Sequence, residues 1–323
     1  MSDQNATQEP KPEPAPFEQG LVNAIAREFL REQRTARRWG IFFKLLLALY
    51  LFSFLVIYLA GELDMKGAEL PGKRHTALVD IEGIIASDAE ASADKIVAGL
   101  RDAFEDGKTA GVIVRINSPG GSPVQAGYVN DEIRRLRRKY PDIPLYAVIS
   151  DLCASGGYYI ASAADKIYAD KASIVGSIGV IMAGFGFVET LQKLGIERRV
   201  LHAGENKGLM DPFAPLREEE VKHMDGLLQD VYRQFIEVVK KGRGKRLKDD
   251  PALFSGLIWT GEQSLELGLV DGLGSAGYVA REIIGAEDIV DFTHRESYLD
   301  RFARRIGTAA AERIESMGGF QLH

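Results

Sequence analysis

The residue types best suited to covalent chemistry are serines and a lysine, each set among glycines. Cys153-Ala154-Ser155-Gly156-Gly157-Tyr158-Tyr159 places a serine between small residues at the start of a helix-like run. A helix start and the Gly156 N–H both favour negative charge beside that hydroxyl. An ordinary N-cap serine occupies the same kind of position, so the local pattern leaves nucleophile and cap both open. Cys153 lies ahead of the helix start, and no nearby histidine suggests itself to activate it. A serine nucleophile needs a base. The five histidines, His75, His202, His223, His294 and His323, are scattered along the chain. The alternative base is a lysine whose amine is kept neutral by desolvation. Gly204-Glu205-Asn206-Lys207-Gly208-Leu209-Met210 offers Lys207 between glycines and near apolar Leu209 and Met210. By its own pattern alone it reads as a solvated surface lysine.

Two more glycine-rich segments lie near strand-like runs, where open α/β sheets keep their sites. In Asn117-Ser118-Pro119-Gly120-Gly121-Ser122 the paired glycines let a backbone come close to a ligand and aim N–H groups at it. That arrangement is an oxyanion hole or a plain turn. In Val175-Gly176-Ser177-Ile178-Gly179-Val180 the small residues suit a peptide passing close by, or tight packing.

Other chemistry finds no pattern. Gly107-Lys108-Thr109 ends like a phosphate loop, but Asp102 stands where the upstream glycine belongs. Gly272-Leu273-Gly274-Ser275-Ala276-Gly277 spells G-x-G-x-x-G after a helix-like stretch rather than a strand, and is read as a turn. There is no H-E-x-x-H and no G-x-S-x-G. No metal site and no cofactor are expected.

The elements that must position these residues follow from hydrophobic patterning. The chain has 323 residues, 46% hydrophobic and 27% charged, with net charge −6. That is globular composition, and the acidic balance argues against a nucleic-acid partner. The single cysteine excludes an intrachain disulfide and a cysteine-cluster zinc site. Residues 1–20 carry alternating prolines and are expected to form a disordered tail. Residues 21–40 read as a basic juxtamembrane helix with five arginines. Residues 41–60 are apolar with one charge, Lys44, and at ~1.5 Å per residue span one hydrocarbon core. The arginine bias puts the N-terminus in the cytoplasm and the rest across the membrane.

After a linker, 61–75, strand-like runs are expected at Ala77–Ile81, Val112–Ile116, Leu145–Ile149, Lys166–Ala169, Ile174–Met182 and Arg198–Leu201. Helices are expected at Ala91–Glu105, Val124–Tyr140, Ser155–Ala164, Phe187–Leu194 and Glu218–Lys240, the last broken at Gly242-Arg243-Gly244. The alternation predicts an α/β domain of βα units around a mostly parallel sheet. The domain spans residues 76–290, and 291–323 holds an amphipathic helix with Tyr298, Phe302, Ile306, Ala310 and Ile314 at four-residue spacing. That helix could pack on its own domain, on a neighbouring subunit or on the membrane surface.

The ordered segments NSPGGS, CASGGYYIA, VGSIGV and AGENKGLMDP, closed by IWTGEQSLELGLVDGLG, resemble the signal peptide peptidase A (protease IV) family. The resemblance covers roughly residues 76–280 and fits the short, single-domain, membrane-anchored form. It implies a fold similar to the Clp protease subunit and the crotonases. It implies a Ser/Lys dyad: Ser155 as nucleophile, Lys207 as general base and Ser177 orienting the lysine. Gly121 and Gly156, with Gly120 as a further candidate, match the oxyanion donors. The implied substrates are cleaved signal peptides and other short peptides. The implied setting is the bacterial inner membrane, single-pass, with residues 41–60 in lipid and the catalytic domain periplasmic. A ring-shaped homo-oligomer, in which the lysine of one subunit completes the serine site of the next, is also implied. A crotonase-fold acyl-CoA enzyme and a catalytically silent membrane scaffold are the rival readings.

Overall fold

A computed structural model describes residues 37–56 and 73–295. The expected tail, most of the juxtamembrane helix, the end of the 41–60 run, the linker up to residue 72 and the C-terminal helix lie outside the described residues. The first unit contains a helix, α1 (Arg37–Val56), which is long and apolar enough to cross a membrane and is exposed throughout.

The second unit runs in the order β1 (His75–Glu82), α2 (Ala93–Glu105), β2 (Thr109–Ser118), α3 (Pro123–Lys139), β3 (Leu145–Ala154) and α4 (Gly156–Ala161). There follow β4 (Lys166–Ala169), β5 (Ile174–Gly176), α5 (Val188–Lys193) and α6 (Glu218–Arg243). The chain then forms β6 (Ile258–Thr260), α7 (Gly261–Leu267), β7 (Gly272–Leu273), α8 (Ala276–Tyr278) and β8 (Ile289–Asp291). The central sheet has the order β6-β5-β3-β2-β1-β8, with β4 and β7 branching from β3. All pairings are parallel except β5 with β6.

Strand side chains alternate between two apolar layers, as a parallel sheet covered on both faces requires. Val79, Ile81, Val112, Val114, Ile116, Leu145 and Ile149 belong to the main core with α2 and α3. Leu78, Ile113, Val148 and Tyr168 meet Val279, Ala280 and Ile284 on the opposite face. In α2 the buried positions Ile96, Gly99, Leu100, Ala103 and Phe104 keep helical spacing. The Ser122 hydroxyl accepts from Gln125 N, and Pro123 opens α3. Arg137, Arg138 and Lys139 close it, where cations favour the helix C-terminus.

The βα alternation is as expected, with corrections in the second half. Of the predicted strand Ile174–Met182 only Ile174–Gly176 pairs. Arg198–Leu201 is exposed and forms no strand. The short strands β6, β7 and β8 had no period long enough to read. Helix α6 does not stop at Lys240. It continues through Gly242, whose missing side chain lets Ser162 O approach; a Cβ there would sit 2.0 Å from that oxygen. Gly272 and Gly274 of the G-x-G-x-x-G segment pack against the rings of Tyr168 and Tyr278, so they serve packing rather than a phosphate.

Candidate active site

The three glycine-rich segments converge at the carboxyl ends of β2, β3 and β5. Ser118 O–H donates to Gly83 O at 2.6 Å, and its oxygen accepts from Gly120 N at 3.0 Å. Ile85 N donates to Gly120 O and Ser122 N to Ile85 O, at 2.9 and 2.8 Å. These bonds fix the loop that carries Gly120 (φ +98°) and Gly121 (φ +150°). The Gly120 N–H is thereby occupied. It is not a free oxyanion donor, which corrects one expectation. Gly120 instead permits close approach: a Cβ there would lie 2.6 Å from Gly156 N and 2.8 Å from the Ser155 Cβ.

Ser155 sits where β3 turns into α4, with φ 51° and ψ −120°. Its side chain makes no capping hydrogen bond, so the N-cap alternative is not what the fold uses. A non-glycine residue in this region costs roughly 1–3 kcal/mol and persists only where its surroundings impose it. Here Ser155 N donates to Gly176 O and Tyr159 N donates to Ser155 O, both at 2.9 Å. A strained strand-to-helix turn that exposes a serine hydroxyl is the geometry of a nucleophile elbow. The sequence lacked the G-x-S-x-G signature, so this feature was invisible until φ and ψ were known.

Among the described residues, the N–H groups of Gly121 and Gly156 have no hydrogen-bond partner. Their backbones face each other: a Cβ on Gly156 would lie 3.3 Å from Gly121 N. Gly121, Ser155, Gly156 and Ser177 line one cleft of about 700 Å³. Ser177 also has a left-handed φ, 52°, and its N–H donates to Leu257 O at 2.7 Å. The cleft walls are mainly apolar, with Val124, Tyr159, Val180, Ile181 and Phe235 among them, and Asp131 is the one charged lining residue. Burial, with the Asp131 carboxylate adding to it, raises the Tyr159 phenol above its ordinary range.

Cys153 is fully buried beneath Ser155, and burial pushes its thiol far above the ordinary thiol range. A thiolate nucleophile there is disfavoured. No group of three or more His, Cys, Asp or Glu suited to a metal occurs among the described residues.

Lys207 does not join these groups within the chain. It lies in an exposed turn, its N–H donating to Gly204 O at 3.1 Å, and it is absent from the cleft lining. It makes no hydrogen bond to Ser155 or Ser177. The turn is nevertheless organised. Phe187 N donates to Pro212 O at 2.7 Å, the Phe187 and Phe213 rings stack at 5.5 Å, and Arg198 pairs with Asp211.

The model of peptidase family S49 matches residues 137–288, a stretch that holds Ser155, Ser177 and Lys207. A Synechocystis sp. protein carrying a protease name is 34% identical over 203 residues, 63% of this chain and 71% of that protein. The chain belongs to peptidase family S49, the signal peptide peptidase A family. Protease 4 of Haemophilus influenzae is 34% identical over 203 residues, covering 62% of this chain and 32% of that protein. A Brucella abortus protein named Na(+)/H(+) antiporter NhaA is 46% identical over 186 residues, 58% of this chain. The chain spans only 25% of that protein, and a name given to the whole does not pass through a quarter of it. The α/β sheet described above is the S49 fold, similar to the Clp protease subunit.

Proposed function

We propose that this chain is a membrane-anchored serine endopeptidase that degrades cleaved signal peptides and other short hydrophobic peptides. The observation that carries the reading is Ser155, held at φ 51° beside two unpartnered backbone N–H groups at the mouth of an apolar cleft. In the reaction, neutral Lys207 accepts the Ser155 proton and the alkoxide attacks a peptide carbonyl. The Gly121 and Gly156 N–H groups hold the tetrahedral oxyanion. Lys207 then protonates the leaving amine and later activates water to release the acyl group. Ser177 orients the lysine.

Because Lys207 is exposed and unattached to Ser155 within one chain, we assign the base to a neighbouring copy in a closed ring. The exposed stretch around it supports an interface. Ile181, Phe185 and Leu201 are 86%, 82% and 102% exposed, more apolar surface than a lone subunit ordinarily leaves in water. A neighbour covering this region would also desolvate the lysine and favour its neutral amine, giving a rate that rises toward alkaline pH. The helix Arg37–Val56 would anchor the enzyme in the bacterial inner membrane, N-terminus inside and catalytic domain outside, where released signal peptides are met.

The deciding experiment uses the full chain. A fluorophosphonate probe should label wild type at Ser155, and Ser155→Ala should abolish both labelling and peptide hydrolysis. Mixed Ser155→Ala and Lys207→Ala subunits, each inactive alone, should recover part of the turnover. Undiminished hydrolysis by Ser155→Ala sinks the peptidase assignment. Absence of recovery despite proven subunit exchange sinks the shared dyad.

A further inference from the structure

Residues 218–234 of α6 stand almost entirely in solvent, with one exception. Glu220 is the only buried residue among them, 6% exposed. A carboxylate is the group least suited to burial unless partners hold it. Its partner is Arg217, whose Nε and Nη2 both reach Glu220 Oε1, at 2.6 and 2.5 Å. The same Arg217 Nη2 donates to Asn206 Oδ1 at 3.3 Å. Asn206 is the residue immediately before Lys207. The Arg217 side chain, helped by the backbone N–H groups of Arg217 and Met210, holds the Glu220 carboxyl below the usual carboxylate range. Met210 closes the lysine turn at φ 58°. The carboxylate is therefore linked to the turn through Arg217, which bonds both Glu220 and the residue ahead of Lys207.

We propose that Glu220, acting with Arg217, is the positioning residue for Lys207. This rests on the reading of Lys207 as general base. A lysine amine on a long flexible stem is placed only as well as the backbone beneath it. The turn's own bonds, Lys207 N to Gly204 O and Leu209 N to Asn206 O, are local and tie it to nothing rigid. Glu220 supplies that tie, since it sits in the first turn of α6, where the helix N-terminus also favours a negative charge. Further along, the same helix lines the cleft with Val231, Gln234 and Phe235. It is locked at its far end by the buried Arg243, which pairs with Asp271 at 2.7 Å. A single rod thus connects the lysine turn to a cleft wall. In a ring it would carry the positional information of one subunit's cleft to the base that subunit lends to its neighbour.

The test compares Glu220→Ala, Glu220→Gln and Arg217→Ala with wild type and Lys207→Ala, all as full chains. None of these residues lines the cleft, so KM should stay within about twofold. Loss of alignment should lower kcat by roughly 10- to 100-fold in Glu220→Ala. A freed lysine is better solvated, so the rising limb of the rate profile should move to higher pH. Glu220→Gln keeps an acceptor oxygen and should fall between wild type and Glu220→Ala. A merely structural residue would lower the melting temperature and leave the pH limb in place. If Glu220→Ala does not fold, Arg217→Ala carries the test, because Arg217 is a half-exposed side chain. Wild-type kcat and pH limb in the folded variants, with Lys207→Ala inactive, overturn the clasp and leave the dyad standing. Full turnover in Lys207→Ala overturns both.

Discussion

Gly120→Ala isolates the geometry on which the site depends, because it adds one carbon and removes no proposed catalytic group. The new Cβ would lie 2.6 Å from Gly156 N, 2.8 Å from Ala154 O and 2.8 Å from the Ser155 Cβ. Ordinary contact begins near 3.4 Å, so the two backbones must separate by about 0.8 Å. The φ of +98° adds strain of roughly 1–2 kcal/mol for any residue with a side chain. Both effects fall on the turn that holds Ser155 and the Gly156 N–H. Loss of one oxyanion donor costs about 10²–10³ in kcat. The expected result is a fall in kcat of at least about 100-fold with a global stability loss of only about 1–3 kcal/mol. KM should change little, since Gly120 does not line the cleft. Steady-state kinetics and fluorophosphonate labelling rates report the first quantity, and urea unfolding followed by circular dichroism reports the second. A folded Gly120→Ala protein within threefold of wild-type kcat would refute the oxyanion geometry. Gly226→Ala is the control: exposed in α6 with nothing within 4 Å of a new Cβ, it should gain about 0.5–1 kcal/mol.

Arg243→Met should destabilise the domain by about 3–5 kcal/mol in thermal or urea unfolding. It leaves the half-buried Asp271 with Arg246 as its remaining cation, and removes donors to Gly268 O at 3.0 and 2.9 Å. Glu132, bonded to Arg135 and Arg101 against the opposing effect of burial, has its carboxyl lowered to about 2. Its stabilisation is therefore full above the ordinary carboxylate range and lost as pH falls toward 2. Glu132→Gln should be less stable than wild type by about 1 kcal/mol at pH 6, with the gap closing in acid melts. Asp131, the one charge in the cleft, should favour substrates carrying a lysine a few residues from the scissile bond. Asp131→Lys should reverse that preference by roughly 3- to 10-fold in kcat/KM toward glutamate-bearing peptides, and equal rates for both would dismiss it.

The βα order and the parallel core were legible because burial on both faces of β1, β2 and β3 leaves long apolar runs. Helices α2, α3 and α6 announced themselves as helix-like runs between the strands. The short strands β6, β7 and β8 did not, since two or three residues carry no period and their pairing is settled by the edges available. The residue types at the site were legible too: glycines beside a strand end, a serine before a helix, a lysine between glycines. Their relationships were not. Sequence could not separate an N-cap serine from one held at φ 51°, because that angle is imposed by Gly176 O and by the glycine loop pressed against it. It offered Gly120 as a further candidate beside Gly121, whereas the Ser118 hydroxyl takes the Gly120 N–H and leaves that of Gly121. It paired Lys207 with Ser155 only by resemblance, while the folded chain makes no hydrogen bond between them and leaves Lys207 out of the cleft lining. Glu220 gave no signal at all: among Glu218, Glu219 and Glu220 at a helix start, only the packing of a distant turn selects which carboxylate is buried. The sequence by itself determined which groups exist and which local elements carry them. Their distances and free valences were decided by tertiary structure, because those depend on contacts between segments far apart along the chain.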